Sequence, residues 1–139
     1  MNDYAFYDIK VGFQESFEIK IDASKMEKFL DISKDINPLH NDIKFAKRMG
    51  FEGKVVYGLL TSSFYSTLVG VYLPGKYCIL QGINIQFSKP VYVDDVLRIS
   101  GTVSYINEAY KTIEIKAFIT NQDNIKVSKA IIKAGVMHG

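Results

Sequence analysis

The sequence predicts an α+β fold in which a strongly curved antiparallel sheet wraps one central apolar helix. Three observations carry that expectation. Residues 58 to 73, GLLTSSFYSTLVGVYL, form the longest stretch without a charge, and Pro74-Gly75 ends it. After it come four segments, about 77 to 88, 96 to 106, 110 to 120 and 125 to 136, whose alternation and polar separators read as strands joined by tight turns. The chain has 139 residues, 47% of them apolar, enough for a single domain over residues 1–139 whose core needs no disulfide staple.

The elements follow in order. FQESFEIKI, residues 13 to 21, alternates as a strand. Asp22 and Ser24 are cap residues for a short helix from Ala23 to Ile32, with Met26, Phe29 and Leu30 as its buried stripe. Pro38 biases Asn37 away from helical dihedrals, so SKDINPLH, residues 33 to 40, is a shaped loop. Asn41 or Asp42 caps a helix over 43 to 48, with Phe45 and Ala46 as its contacts and Gly50 at its exit. Residues 58 to 73 are too long for an ordinary strand and make a helix of about 24 Å at 1.5 Å per residue. Leu60, Phe64, Leu68 and Val71 recur at helical spacing; Ser63, Ser66, Thr67 and Gly70 form a small-residue face that would let a sheet approach closely. KPVYVDD, Asn107-Glu108 and TNQDN are the turns of the sheet. Such a sheet has open edges, and pairing across a two-fold axis, as a homodimer, is the expected cover.

Composition excludes several classes. Net charge is +2, with no basic block to mark a nucleic-acid face; the lysines of IKVSKAIIKAG are spaced as the solvated face of a strand. The single cysteine, Cys78, sits in the apolar run GKYCILQG and rules out an intrachain disulfide. Two histidines, His40 and His138, and no paired metal-ligand spacing argue against a metal. No stretch approaches the roughly 18 apolar residues of a membrane span, and MNDYAFYDIKVG lacks the pattern of a signal peptide. The expectation is a cytoplasmic protein without a membrane or nucleic-acid partner.

The chemistry-bearing stretch is SKDINPLH. Asp35 and His40 lie five residues apart across a proline turn; a backbone folded back at Pro38 would turn both to one cavity, where a carboxylate and an imidazole can hold one water as an acid-base pair. Histidine as a residue type titrates near neutrality. Asn37 either fixes the loop or orients the pair. The bland alternative is an ordinary helix-exit turn, with His40 simply preceding the next helix. Gly58 opens the apolar helix, and a helix start presents unpaired N–H groups that favour negative charge; there the bland reading is a glycine that eases entry into the helix. Ser62 and Ser63 lie in no G-x-S-x-G pattern, which weighs against a serine hydrolase. Tyr57, Phe64, Tyr65 and Tyr72 are either pocket liners or core.

These residues together resemble the MaoC-like, or (R)-specific enoyl-CoA hydratase, family. The stretch from Asp35 to Gly75 is similar to that family's Asp-x-Asn-Pro-x-His element, its following Asp and Phe-Ala pair, its Val-x-Gly-x-Leu helix entry and its Pro-Gly exit. Here these are Asp35, Asn37, Pro38 and His40; Asp42; Phe45 and Ala46; Val56, Gly58 and Leu60; Pro74 and Gly75. FSKPVYVDDVLRISGTV, Phe87 to Val103, is similar to a second family junction. The resemblance implies a hot dog fold, usually dimeric, and an acyl thioester substrate on coenzyme A, with no other cofactor. It implies Asp35 and His40 as the catalytic pair, the Gly58 N–H as oxyanion donor and Ser63 near the acyl group; from the residues themselves, Asn37 is the positioning candidate, and Tyr57 and Phe64 are candidate pocket liners. Two positions depart from the pattern. Tyr57 stands where histidine is common, and Asp94 where glycine is common.

The implied activity is that of a lyase: hydration of a trans-2-enoyl-CoA to an (R)-3-hydroxyacyl-CoA, or the reverse dehydration, in fatty acid metabolism. Three rivals share the fold. A thioesterase would release thiol, but hot dog thioesterases commonly set a carboxylate near the central helix, and residues 58 to 73 hold no acid. A dehydratase for a carrier-protein-bound or specialised thioester would use the same residues. A non-catalytic thioester-binding module would need the pocket but not both Asp35 and His40.

Overall fold

A computed structural model describes residues 1–139. Five strands, β1 (Gln14–Lys20), β2 (Cys78–Phe87), β3 (Val96–Asn107), β4 (Thr112–Thr120) and β5 (Lys126–Val136), form one antiparallel sheet in the order β1-β3-β4-β5-β2. Between β1 and β2 the chain makes helices α1 (Ala23–Ser33), α2 (Pro38–Asn41), α3 (Ile43–Arg48) and α4 (Gly58–Thr67), and a 3-10 turn, Phe6–Asp8, precedes β1. Helix α4 lies in the concave face of the sheet, the arrangement of a hot dog fold, and no helix is long and apolar enough to cross a membrane.

The inner rows of the sheet make the core. Val103, Ile115, Ile132 and Ile83 sit in register across β3, β4, β5 and β2, and the first three are buried. Tyr65 of α4 is fully buried and its hydroxyl meets Ser128 Oγ on β5 at 2.7 Å, tying helix to sheet. The close approach expected from the small face of α4 comes from the sheet instead. A Cβ on Gly101 of β3 would lie 2.7 Å from Leu68 Cδ2, so the helix seats against that glycine. Ser63 and Ser66 are exposed, together with Leu59, while Thr61 and Ser62 are buried. The helix turns its small-residue stripe outward because Leu60, Phe64 and Leu68 claim the inner side.

Two local expectations change in detail. The central helix is α-helical only to Thr67; Leu68–Tyr72 forms a π-helical turn, closed by the Leu73 N–H donating to Leu68 O. Gly70 lies in that wide turn with open space beside it. The loop over 33 to 40 is partly helical. Lys34, at φ 55°, ends α1, and Pro38 then occupies the first position of α2, where its missing N–H costs no bond. Asp42 caps α3, its Oδ1 accepting from the Lys44 and Phe45 N–H groups. Asp94, where glycine is the usual residue of the resembled junction, has φ 75°, a left-handed turn that glycine enters without strain.

Candidate active site

The segment from Asp35 to Asn41 is held by its own polar side chains. The Asn37 N–H donates to Asp35 Oδ1 at 3.1 Å, and the Leu39 N–H donates to Asn37 Oδ1 at 2.9 Å. Asn37 is therefore the cap of α2, which brings His40 up one turn later. Asn41 Nδ2 donates back to the carbonyls of Asn37 and Asp35, at 3.1 and 3.4 Å.

His40 is anchored through one ring nitrogen. Its Nδ1 lies 2.7 Å from the Val55 carbonyl oxygen. A carbonyl only accepts, so Nδ1 carries the proton and donates, and in the neutral ring Nε2 keeps its lone pair. Val55 N–H in turn donates to Leu39 O at 3.1 Å, so α2 and the strand-like stretch before α4 hold each other. The Tyr57 ring packs on the imidazole, with centroids 4.2 Å apart at 30°.

Helix α4 starts at Gly58 with Tyr57 as its cap residue and no capping side chain. The first backbone bonds of the helix come from Leu60 and Thr61, both to Tyr57 O, and the Gly58 N–H donates to no acceptor in the chain. Thr61 Oγ1 and Ser62 Oγ both donate to Gly58 O at 2.8 Å, which fixes the turn. A Cβ on Gly58 would come within 3.0 Å of the Phe87 ring.

His40 and Gly58 line one cavity of about 330 Å³, with Thr61, Phe87, Lys89 and Val127 among its other walls. On its other side His40 reaches a second cavity of about 500 Å³, walled by Met26, Leu30, Ile43 and Tyr92 and carrying Glu27, Glu52 and Lys54. Of the residues singled out in the sequence, His40 and Gly58 meet at a cavity. Asp35 lies on the exposed segment before α2, outside both walls, with Oδ2 free of intrachain bonds. Tyr57 is 2% exposed and sits directly behind His40. Phe64 is buried core. Ser63 is exposed and its hydroxyl donates to Leu60 O at 2.6 Å, away from the cavity that Thr61 lines. Asn41 and Thr61 join the site without having been singled out for it. Asn41 stood in the sequence only as a helix cap, and a threonine in an uncharged helix carries no signal of its phase. No group of three His, Cys, Asp or Glu side chains is placed to hold a metal.

Comparison with known proteins identifies the family and the fold. The model of the MaoC like domain matches residues 8–125. The (R)-specific enoyl-CoA hydratase of Aeromonas caviae is 35% identical over 100 residues, 72% of this chain and 75% of that protein. The (R)-specific enoyl-CoA hydratase of Rhodospirillum rubrum is 28% identical over 130 residues, 94% of this chain and 86% of its own. Among solved structures, the (R)-hydratase from A. caviae involved in PHA biosynthesis matches with a TM-score of 0.88 at 29% identity, over 92% of this chain and 97% of that one. An unliganded R-hydratase from Pseudomonas aeruginosa matches with a TM-score of 0.92 over 99% of this chain and 88% of its own; at 21% identity that likeness speaks to the fold alone. The chain therefore belongs to the MaoC-like dehydratase family, and its helix-in-sheet architecture is that family's hot dog fold.

Proposed function

We propose that this lyase adds water to a trans-2-enoyl-CoA to give the (R)-3-hydroxyacyl-CoA, reversibly, and that residues 1–139 act as one domain in doing so. The observation that carries the reading is the cavity shared by His40 and Gly58, which sets an imidazole with a lone-pair nitrogen beside an unpaired helix-start N–H. Hydration of a conjugated thioester needs those two groups on one substrate. One takes a proton from water, and the other receives the charge that moves to the thioester oxygen.

The steps follow from the residues. In the proposed first step Asp35 Oδ2, which carries no intrachain bond, and His40 Nε2 share one water, although Asp35 does not itself line the cavity of His40 and Gly58. The water oxygen bonds to C3 as the pair takes a proton, and the C2–C3 π electrons move onto the thioester carbonyl as an enolate. The Gly58 N–H donates to that oxygen. The enolate then collapses and C2 receives the proton from the pair. Dehydration runs the same path backwards. No redox change occurs, and coenzyme A enters as part of the substrate. Asn37 keeps the Asp35 and His40 backbone in place through the cap of α2. The working unit in this reading is a homodimer, with a second copy on the β2 edge.

The test follows the ultraviolet band of the conjugated enoyl thioester with crotonyl-CoA and octenoyl-CoA, beside a free-thiol readout. Loss of the band without thiol, with product oxidised only by an (R)-specific dehydrogenase, is the expected result; thiol release would make the protein a thioesterase. Removing a general acid or base typically costs about 10²- to 10⁴-fold, so Asp35→Asn and His40→Ala each lose about that much in kcat with an unchanged circular dichroism spectrum. Full activity in both variants sinks the assignment.

A further inference from the structure

We infer that Tyr57 is a positioning residue, whose hydroxyl pins the Asp35–Asn41 segment to the start of α4; the inference rests on the hydratase reading of the site. Tyr57 stands immediately before Gly58, so its backbone is continuous with the proposed oxyanion donor. Its ring is buried between Phe29, at 4.8 Å between centroids, and the His40 imidazole, at 4.2 Å. Its hydroxyl lies 3.2 Å from the Asp35 carbonyl oxygen and 3.2 Å from Asn41 Oδ1, and donates to either acceptor.

The role follows from what else holds Asp35. Its own N–H donates only to Ser33 Oγ at 3.2 Å, and its carboxylate accepts only from Asn37. Both ties are local and move with the segment. The hydrogen bond that fastens Asp35 to a residue outside the segment goes through its carbonyl, from Tyr57, and Asn41 Nδ2, at the far end of the segment, donates to the same carbonyl. Asn41 also holds the Asn37 carbonyl, so one tyrosine and one asparagine close a ring of bonds around the turn that carries the acid and the base. The Leu39–Val55 and His40–Val55 bonds hold the α2 end of the segment, and the ring holds its Asp35 end, and with it the distance of the carboxylate to His40 and to the Gly58 N–H. Catalysis by a held water depends on such distances, and a 1 Å misplacement costs up to about 10²-fold.

Tyr57→Phe tests this, because it keeps the ring against Phe29 and His40 and removes the hydroxyl alone. Two readouts are taken on the full chain. Amide hydrogen exchange at Asn37 and Leu39 rises about tenfold or more, while exchange in β3, β4 and β5 stays as in the parent. In steady state with crotonyl-CoA, kcat falls about tenfold or more and KM stays within about twofold. Asn41→Ala gives the same pattern, and the double variant is no worse than the weaker single one, as expected of two groups in one network. Parent-like exchange at Asn37 and Leu39 in Tyr57→Phe overturns the inference. So does an increase spread over the whole sheet, which would mark Tyr57 as ordinary core. A parent protein that hydrates no enoyl thioester defeats the functional reading instead, and the exchange measurement still decides whether Tyr57 is the anchor.

Discussion

Gly58 shows how narrowly one residue can be constrained without any unusual backbone. Its dihedrals are helical, so a side chain is opposed by its neighbour alone and not by strain; a Cβ would lie 3.0 Å from Phe87 Cε1. Phe87 is 54% exposed, so its ring has room to yield. Gly58→Ala therefore folds with a melting temperature near that of the parent. The displaced ring then lies across the cavity that His40 and Gly58 share, and kcat/KM falls by about 10- to 100-fold, a loss of the size that small misplacements cause. A parent-like kcat/KM would show that the acyl thioester does not pass this point. At the same scale, the Asp35 to His40 turn was legible in the sequence because its bonds span two or three residues and follow from Asn and Pro chemistry. The Tyr57 anchor was not, because it joins residues 22 apart in the chain. Only the fold brings them together.

Among the elements, α4 was legible as a helix and in its buried Leu60, Phe64 and Leu68, but not in the outward turn of its Ser63 and Ser66 face. A helix without charges has little polar asymmetry, so nothing in residues 58 to 73 says which small residues face the sheet. The structure chooses through Tyr65, whose hydroxyl needs Ser128 once the ring is buried. Burial pushes the Tyr65 phenol up to about 12, with the Ser128 hydrogen bond opposing the shift in part. An unfolded tyrosine ionises near pH 10. Between pH 10 and 12 the unfolded chain thus releases a proton that the folded chain keeps, and stability present below pH 10 is lost as pH rises through that window. Tyr65→Phe removes this contribution. It loses about 1 kcal/mol at neutral pH for the missing hydrogen bond, and its melting temperature falls less steeply than the parent's from pH 10 to 12. Melting curves of the two proteins that stay parallel across that window would rule out Tyr65 as a linked group.

At the scale of the whole molecule, the strands and hairpins were legible from alternation and turn residues, but the strand order was not. β2 pairs with β5 at the far end of the sheet, a non-local choice that no turn encodes. Its consequence is an unfinished face. Ile83 shares a row with Ile132, Ile115 and Val103, which are at most 1% exposed, yet Ile83 itself is 39% exposed. Leu80 and Phe87 point the same way and are 42% and 54% exposed, and Leu59 on α4 beside them is 68% exposed. The helix meets β2 where Gly58 lies against Phe87, yet leaves Leu80, Ile83 and Phe87 open to solvent, and the outer edge of β2 also carries unpaired backbone groups. The second copy of the proposed homodimer would meet both needs at once. Two β2 strands related by a two-fold axis would pair antiparallel, as an isologous contact requires, and each copy's apolar row would close against the other. A standard interface takes about 800 Å² from each partner, about a tenth of the 8013 Å² this chain exposes. The chain should sediment at twice its 15.7 kDa, and Ile83→Lys should shift it to monomer by placing a charge in the row. Because Phe87 belongs both to that face and to the cavity of His40 and Gly58, the monomeric variant should also lose most of its hydratase activity. A parent chain that sediments as a fully active monomer would sink the dimer and, with it, the claim that the site is finished by a second copy.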